Sequence, residues 1–376
     1  DLTRKVTADG PEKHPNIVVI TVESLSAEYL GVFGNTQGLT PNLDKLAKES
    51  LLFTRVYATG TRTVRGLEAL SLAIPPTPGQ SIVRRPDNGD LFTLGSVLNN
   101  RDYKSWFIYG GYGYFDNMNE FYQKNNYQIF DRTDIPQERI MTETVWGVAD
   151  EVVFDEALEN LDRAYAKGEK TFQTIMTTSN HRPYIYPDGR IDIPSPGGRE
   201  GAVKYTDWAI GKFIEDARKK PWFNNTVFVI VADHQASSAG NTEVPIKKYH
   251  IPLLIYAPEL ISPGRVDRLM SQIDVPPTLL GLLDFSYTSR FMGYDIMKLE
   301  PGRERIFIST YQNIAYARGN DLVVLEPKKR AVFYQINYQT GEYQQQPPNK
   351  QLLKEAIGWY QGASMLYKNG AYAAVN

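Results

Sequence analysis

The chain contains no cysteine and few histidines, four in 376 residues. The absence of cysteine excludes a disulfide framework, thiolate-ligated zinc and a cysteine nucleophile, although a cysteine-free protein is tolerated in both oxidising and reducing compartments. Long hydrophobic runs are missing too, since no apolar stretch approaches the roughly 20 residues that a membrane-spanning helix needs. The composition therefore indicates neither a redox compartment nor a membrane segment.

An excess of charge of one sign is also absent. Lys and Arg together number 41 against 43 Asp and Glu, which gives a formal net charge of -2. This balance gives no reason to expect nucleic acid as a partner. The hydrophobic content of 42% is enough to bury a sizeable core, in one large α/β domain or in two ordinary ones.

Apolar, β-branched stretches alternate with amphipathic helical patterns along most of the chain. The alternation predicts an α/β fold with a doubly wound, mostly parallel sheet sandwiched by helices. We expect residues 1–15 to be a polar tail or linker, 16–303 the main domain, and 304–376 a small C-terminal unit of antiparallel strands and one helix. The predicted strands of the main domain are Asn16–Val22, Leu51–Tyr57, Lys104–Tyr109, Thr171–Thr177, Val227–Ala232 and Ile251–Ala257.

Reactive side chains follow several of these strands at the point where each strand ends. In open α/β sheets, ligands bind at the carboxyl ends of the parallel strands, so these side chains are expected to face one site. Carboxylate and neutral imidazole are the usual ligands of Zn²⁺ or Mn²⁺. Taken singly, each residue also has a structural explanation as a helix cap, a loop residue or a surface group. The residues are Glu23, Ser24, Ser179, Asn180, His181, Asp233 and His234.

A threonine-rich turn, residues 59–63, lies between the second predicted strand and a helix. Backbone N–H groups and the helix dipole would favour an anion held there. A threonine hydroxyl becomes a useful nucleophile when a metal lowers its pKa or a base takes its proton. The alternative is that Thr61 and Thr63 are only N-cap residues, a position that threonine favours in any case.

In order and spacing, several stretches resemble the lipoteichoic acid synthase branch, phosphoglycerol transferases of the alkaline phosphatase and sulfatase superfamily. The resemblance implies a domain that faces the periplasm or the outside at the cell membrane, held by an N-terminal anchor upstream of residue 1. The stretches are NIVVITVESLSAEYLGVFG at 16–34, TPNLDKLAKES at 40–50, GTRT at 60–63, TTSNHRPY at 177–184, FVIVADHQ at 228–235 and YHIPLLIYAP at 249–258.

Carried over position by position, the resemblance implies one divalent metal ion, with Mn²⁺ expected first and Mg²⁺ or Zn²⁺ as alternatives. Thr63 would also be the nucleophile, with Thr61 as its competitor in the same turn. His181 would contact the substrate phosphate or protonate the leaving group, and His250 would be a further active-site histidine. The implied metal ligands are Glu23, Thr63, Asp233 and His234.

The resemblance also implies the reaction and its partners. Thr63 attacks the phosphorus of a phospholipid head-group diester, diacylglycerol leaves, and a phosphothreonine-type intermediate forms. A hydroxyl acceptor, either a glycan or water, takes the group in a second step. The expected partners are therefore a phospholipid donor, a hydroxyl acceptor and the membrane.

One loop departs from the family pattern. Lipoteichoic acid synthases have a Phe-Trp-Asn-Arg segment that holds glycerol phosphate, whereas this chain has Phe115, Asp116, Asn117 and Met118. An acidic residue replaces the bulky aromatic and a neutral one replaces the cation, so an additional phosphate should bind less well. Asp116 and Asn117 are expected to contact the substrate. Asp116 and Glu120 could face a cationic or hydroxyl-bearing group, with simple solvent exposure as the alternative.

Three further functions are compatible with parts of the sequence. A sulfuric ester hydrolase needs a formylglycine made from Cys or Ser, and the chain has no Cys and no suitable Ser motif. A phosphoethanolamine transferase shares the Gly-Thr-x-Thr turn, but that family resembles disulfide-bearing domains. A non-catalytic sensor domain that binds lipid or metal is the alternative of a different class, and metal content would discriminate it from an enzyme.

Overall fold

The computed structural model describes residues 2–235 and 244–375. Within these ranges, no helix combines the length and the apolar composition that crossing a bilayer requires. The helices are α1 (Pro41–Lys48), α2 (Thr63–Leu72), α3 (Leu94–Asn99), α4 (Met118–Lys124), α5 (Asp150–Ala166), α6 (Gly198–Arg218), α7 (Val275–Leu282) and α8 (Lys350–Lys368).

The strands form one large sheet, one smaller sheet and two short pairs. They are β1 (Arg4–Val6), β2 (Asn16–Val22), β3 (Leu51–Tyr57), β4 (Tyr103–Tyr109), β5 (Gln128–Phe130), β6 (Glu143–Thr144), β7 (Gly147–Val148), β8 (Lys170–Met176), β9 (Thr226–Ala232), β10 (His250–Tyr256), β11 (Gly264–Val266), β12 (Met270–Ser271), β13 (Tyr287–Ser289), β14 (Arg305–Ser309), β15 (Ile314–Arg318), β16 (Asp321–Glu326), β17 (Arg330–Ile336) and β18 (Tyr343–Gln346).

The large sheet has the strand order β11-β3-β10-β9-β2-β8-β4-β5, with β12 also paired to β3. Strand β10 is antiparallel to both of its neighbours, whereas the remaining pairings in this sheet are parallel. All residues of β2 and β9 are buried, as expected for strands covered on both faces. The prediction of a doubly wound, mostly parallel sheet is confirmed.

Two groups of helices cover the large sheet. Helix α6 packs against α1 and α5, and α2 packs against α3 and α7. Each helix carries apolar residues on the side that faces the sheet, such as Leu43 and Leu46 in α1, and these residues are buried. Burying such a stripe is the main source of stability for a helix of this length.

The C-terminal sheet is an antiparallel meander in which β14 to β18 pair in chain order. Helix α8 packs on β15 and β16. The sequence predicts the first four of these strands, but β18 lies in a polar, glutamine-containing segment without hydrophobic alternation. Its residues are half-buried or exposed, so pairing with β17 and not burial defines this strand.

The N-terminal segment, expected to be a polar tail, is attached to the main domain. Strand β1 pairs with β13 in antiparallel register. Glu12 forms an ion pair with Arg101 at 2.7 Å, and the hydroxyl of Tyr103 donates a hydrogen bond to the Pro15 carbonyl. Because these contacts involve polar groups and a strand of three residues, no hydrophobic pattern in the sequence signals them.

Candidate metal centre

Two neighbouring strands bring Glu23 and Asp233 together. Glu23 follows β2 and Asp233 follows β9, and these parallel strands are paired so that Val22 lies opposite Ala232. The backbone N–H of Ser24 donates to Oδ1 of Asp233 at 2.9 Å. Both carboxylates are buried, with exposed fractions of 6% and 0%. The carboxyl ends of two central strands therefore place two acidic groups side by side, as predicted.

His234 completes the cluster from the next position in the chain. Its Nε2 lies 3.3 Å from Oε1 of Glu23 and 3.4 Å from Oδ2 of Asp233. Its Nδ1 lies 2.7 Å from the carbonyl oxygen of Gln235, which accepts a hydrogen bond. A backbone carbonyl on Nδ1 orients the ring and leaves Nε2 as the atom that can bind a metal.

The hydroxyl of Thr63 lies beside the same carboxylates. Thr63 is the first residue of α2, and its Oγ1 donates to Oε2 of Glu23 at 3.0 Å. The close approach of α2 depends on Gly66, because a Cβ at that position would lie 2.3 Å from the carbonyl oxygen of Asp233. Thr61 makes no side-chain hydrogen bond with any described residue.

Two polar side chains far away in sequence hold the turn and the strand end in place. The amide of Gln272 donates to the carbonyl oxygens of Ala232 and Asp233, at 2.9 and 2.8 Å. Its Oε1 accepts a hydrogen bond from the N–H of Thr59 at 3.2 Å. From β14, the Ser309 hydroxyl donates to the Thr59 carbonyl oxygen at 2.8 Å. The sequence contains no local signal for either contact.

Burial and mutual charge set the protonation of the cluster. Burial raises the pKa of Glu23, but the charge of His234 and hydrogen bonds outweigh it and lower the pKa to about 2. Burial and the nearby Glu23 raise the pKa of Asp233 well above its usual value. Burial lowers the pKa of His234, whereas Asp233 and Glu23 raise it to about 9. The carboxylates therefore favour positive charge at Nε2 of His234.

These residues fit a divalent metal ion. One ligand atom from each of Glu23, Asp233 and His234 lies within 4.8 Å of the others. Oδ2 of Asp233 is buried and accepts no hydrogen bond from the described residues, although Nε2 of His234 lies 3.4 Å away. A buried carboxylate oxygen without a partner is costly, and a cation would satisfy it. Oxygen and imidazole donors suit Mn²⁺, Mg²⁺ or Zn²⁺.

His181 lies in an aromatic environment that the sequence does not predict. Its ring centroid is 3.9 Å from that of Trp146, and Trp146 contacts Phe115 edge-to-face at 5.5 Å. Nδ1 of His181 lies 3.1 Å from the carbonyl oxygen of Arg182. Trp146 lies in the two-residue turn between β6 and β7. No apolar periodicity in this polar region distinguishes it from a surface aromatic residue.

Asp116 and Asn117 lie at the loop that follows β4, both with left-handed backbone angles. Oδ1 of Asp116 is 3.6 Å from Nη1 of Arg84. The Asn117 amide donates to the carbonyl oxygen of Val83 at 3.0 Å. The acidic residue of this loop is thus paired with Arg84, from another part of the chain.

His250 is placed apart from the metal cluster. It begins β10, stacks on Tyr57 at 5.3 Å and donates from Nε2 to the carbonyl oxygen of Thr54 at 2.7 Å. Burial lowers its pKa, which favours the neutral ring. His250 lines a cavity of about 1420 Å³ beside the C-terminal sheet, and within the described part of the chain its lining does not include the metal cluster.

A comparison with known protein families shows the family to which this chain is related. The family model described as Sulfatase matches residues 15–285, which include Glu23, Thr63, Asp233 and His234. The chain belongs to the sulfatase family. The resemblance stated from the sequence motifs is therefore confirmed at the level of the family.

Two curated relatives of this sulfatase-family chain have transferase or synthase names. Phosphoglycerol transferase I of Xanthomonas axonopodis pv. citri (strain 306) is 27% identical over 291 residues, 72% of this chain and 41% of the relative. Lipoteichoic acid synthase 2 of Bacillus subtilis (strain 168) is 24% identical over 333 residues, 80% of this chain and 50% of that protein. The chain thus spans about two fifths to half of the length of these relatives.

Solved structures confirm the fold. A protein in the alkaline phosphatase superfamily from Vibrio parahaemolyticus superposes with a TM-score of 0.94 at 34% identity, covering 100% of this chain and 92% of that chain. The lipoteichoic acid synthase LtaP from Listeria monocytogenes superposes with a TM-score of 0.81 at 19% identity, covering 99% and 97%. The sulfatase-family chain therefore has the alkaline phosphatase superfamily fold.

Proposed function

We propose that this domain is a metal-dependent phosphoglycerol-type transferase or phosphodiesterase that acts on a phospholipid head group through Thr63. The hydrogen bond from Oγ1 of Thr63 to Oε2 of Glu23 carries this proposal, because it places a hydroxyl against a buried cluster suited to a cation. The names of the curated relatives, phosphoglycerol transferase I and lipoteichoic acid synthase 2, support the substrate class.

In this proposal Glu23, Thr63, Asp233 and His234 hold one divalent ion, Mn²⁺ in the first instance. A bound divalent ion lowers the pKa of a hydroxyl and neutralises charge on phosphoryl oxygens. Thr63 Oγ gives up its hydroxyl proton and forms a bond to phosphorus while the bond to the diacylglycerol oxygen breaks, and that leaving oxygen takes a proton to become the alcohol. An acceptor hydroxyl, from a glycan or from water, then takes the group from Thr63.

The remaining predicted residues have positioning or proton-transfer roles in this proposal. His181 contacts the phosphate or protonates the leaving oxygen, and its ring lies in tilted contact with that of Trp146. Asp116 and Asn117 border the head group. Arg84, which lies 3.6 Å from Asp116, supplies positive charge near them. His250 remains a proposed substrate contact through the large cavity that it lines.

The cellular setting proposed for this activity is the outer side of the cell membrane, through an anchor upstream of residue 1. A sulfuric ester hydrolase is less well supported, because the residue at the nucleophile position is a threonine and cannot become formylglycine. A phosphoethanolamine transferase would act on a different lipid head group, and a non-catalytic sensor would release no diacylglycerol. The lipid consumed therefore separates the phosphoethanolamine transferase from the proposed function, and the release of diacylglycerol separates the sensor from it.

One incubation tests the proposal. The chain is mixed with labelled phosphatidylglycerol or phosphatidylethanolamine and Mn²⁺, and wild type is compared with Thr63→Ala. We expect diacylglycerol release and a labelled protein adduct from phosphatidylglycerol with wild type only. Release that persists in Thr63→Ala would show that another residue is the nucleophile. Release from phosphatidylethanolamine alone would favour the phosphoethanolamine transferase. A wild-type chain that binds no divalent ion by elemental analysis would contradict the enzyme proposal.

A further inference from the structure

Large apolar side chains are exposed on one side of the molecule near His181. Tyr114 and Val145 are the most exposed of them, with 77% and 84% of their surface accessible. Elsewhere in the described chain, Tyr165 in α5 and Met297 before β14 are exposed, and Tyr311, Ile357 and Met365 are exposed in the C-terminal unit. We call the group near His181 the apolar rim, and it consists of Tyr112, Tyr114, Phe115, Met141, Val145 and Ile185.

Contacts between loops show that the apolar rim is one surface beside the site. Phe115 contacts Trp146, and Trp146 contacts His181, at centroid distances of 5.5 and 3.9 Å. Gly111 lies against the backbone of Trp146, because a Cβ on Gly111 would lie 2.3 Å from the carbonyl oxygen of Trp146. Ile185 and His181 line the same small cavity. The rim therefore lies next to the residue proposed to contact the phosphate.

The rim is built from loop tips at the carboxyl edge of the sheet. Tyr114 lies in the loop that follows β4, and Ile185 lies in the loop that follows β8. Val145 lies in the two-residue turn between β6 and β7, with Thr144 paired to Gly147. At least three separate loops therefore contribute side chains to the rim.

The chemistry of the rim fits the surface of a lipid bilayer. Tyrosine and tryptophan prefer the region between lipid head groups and acyl chains, because their rings are apolar and their tips are polar. Valine and isoleucine gain free energy by leaving water. Two exposed arginines, Arg62 and Arg182, flank the metal cluster and His181 and can pair with lipid phosphates.

We propose that the apolar rim docks this domain on a phospholipid bilayer, with the rim side chains in the head-group region and the metal cluster facing the head groups. The inference rests on the proposed function, which requires the site to reach a phosphodiester that remains in the membrane. Exposed apolar groups of this size are otherwise unfavourable in water and mark interaction surfaces.

Vesicle binding by the full 376-residue chain tests the inference. Vesicles of phosphatidylcholine and phosphatidylglycerol are sedimented with wild type and with the double variant Tyr114→Ser/Val145→Ser. We expect the variant to lose about tenfold in vesicle partitioning, because two exposed apolar groups no longer insert. The matched control is Tyr311→Ser/Met365→Ser, which removes similarly exposed side chains from the C-terminal unit and should bind like wild type.

Two further measurements locate the contact and separate it from catalysis. Brominated acyl chains should quench tryptophan fluorescence in wild type, and Trp146→Phe should remove most of that quenching. Hydrolysis of water-soluble bis(4-nitrophenyl) phosphate should be the same in the rim variant and wild type, whereas diacylglycerol release from vesicles should fall in the rim variant.

The inference is overturned if wild type does not sediment with vesicles, or if the rim variant binds as well as wild type. It is also overturned if the control variant loses as much binding as the rim variant. Failure of the proposed function would give a different result. Wild type would then leave both the soluble diester and the lipid intact. Its binding to vesicles, compared with that of the rim variant, would still test the inference.

Discussion

The hydroxyl of Thr63 donates a hydrogen bond of 3.0 Å to Oε2 of Glu23, although the two residues are 40 positions apart in the sequence. Glu23 lies at the end of β2 and Thr63 at the start of α2. A central strand and the first turn of a helix thus converge on one pair of polar atoms. This hydrogen bond distinguishes Thr63 from Thr61, whose hydroxyl bonds to no described residue.

Replacing Thr63 should have a far larger effect than replacing Thr61. If Thr63 is the nucleophile, Thr63→Ala should lower the rate of diacylglycerol release by about a thousandfold or more, as for other covalent catalysts. Thr63→Ser keeps a hydroxyl and should retain part of the activity. Thr61→Ala is the matched control and should stay close to wild type. Equal losses in both alanine variants would contradict the assignment.

Gly66→Ala should disturb the metal cluster through packing. The new Cβ would lie 2.3 Å from the Asp233 carbonyl oxygen, so α2 must move away from β9. Such overpacking costs about 1–3 kcal/mol in the free energy of unfolding. Activity should fall as well, because Thr63 lies on the same helix.

Gly358→Ala is the control for this substitution. Gly358 lies in α8, and a Cβ there would meet no atom within 4 Å. Alanine favours the helix over glycine, so this variant should gain up to about 1 kcal/mol. Urea unfolding of both variants checks the prediction, and a Gly66→Ala protein as stable and active as wild type would show that α2 has room to move.

Metal affinity should increase with pH because of His234. Its folded-state pKa, raised to about 9, lies above the usual value of 6.5. The protonated ring therefore stabilises the metal-free fold fully below about pH 6.5, and this contribution is lost as the pH rises through about 9. A divalent ion needs the unprotonated Nε2, so binding displaces a proton and the apparent affinity for Mn²⁺ rises up to about pH 9.

Calorimetric titration with Mn²⁺ at pH 7 in buffers of different ionisation enthalpy measures this proton release. The apparent binding enthalpy of wild type should depend on the buffer. His234→Gln should bind more weakly and show much less buffer dependence. An affinity of wild type that does not change with pH would contradict the assignment of His234 as a ligand.

Arg305→Met should strongly destabilise the fold. Both nitrogen–oxygen contacts from Nη1 of Arg305 to the Asp274 carboxylate are short, at 2.9 and 2.8 Å, and both residues are buried. Removing one partner of a buried ion pair typically costs about 3–5 kcal/mol, since the other charge stays buried without compensation. Arg330 forms an exposed pair with Glu326, so Arg330→Met should change stability by less than about 1 kcal/mol. Guanidinium unfolding of both variants provides the comparison.

The large sheet and the proximity of Glu23 and Asp233 could be predicted because their signals are local. Buried strands such as β2 and β9 are continuous β-branched runs, and the reactive residues follow them directly. Parallel pairing at a shared edge then makes the proximity of Glu23 and Asp233 a consequence of topology. The same argument places the threonine turn at that edge, because it follows another strand of the sheet.

The supporting residues could not be predicted because their partners are distant. Gln272 and Thr59 are separated by 213 positions, and Ser309 and Thr59 by 250. A single amide or hydroxyl that caps a distant backbone group leaves no periodicity in the sequence. Trp146 is similar, since its ring contact with His181 depends on how two loops fold. The short strand β1 has no sequence signal either, because its backbone pairing with β13, and not the burial of its side chains, defines it.

The contacts of the C-terminal sheet have a consequence for modularity. Ser309 holds the carbonyl of Thr59, and Arg305 neutralises Asp274, which lies two positions after Gln272. The residues that position Thr63 and Asp233 are therefore held by contacts from the C-terminal sheet. The change of topology near residue 304 is therefore not a boundary without contacts, because Ser309 and Arg305 bond to residues of the main domain. Exchanging this sheet for another module would remove the hydrogen bond from Ser309 to the threonine turn and the ion pair of Arg305 with Asp274.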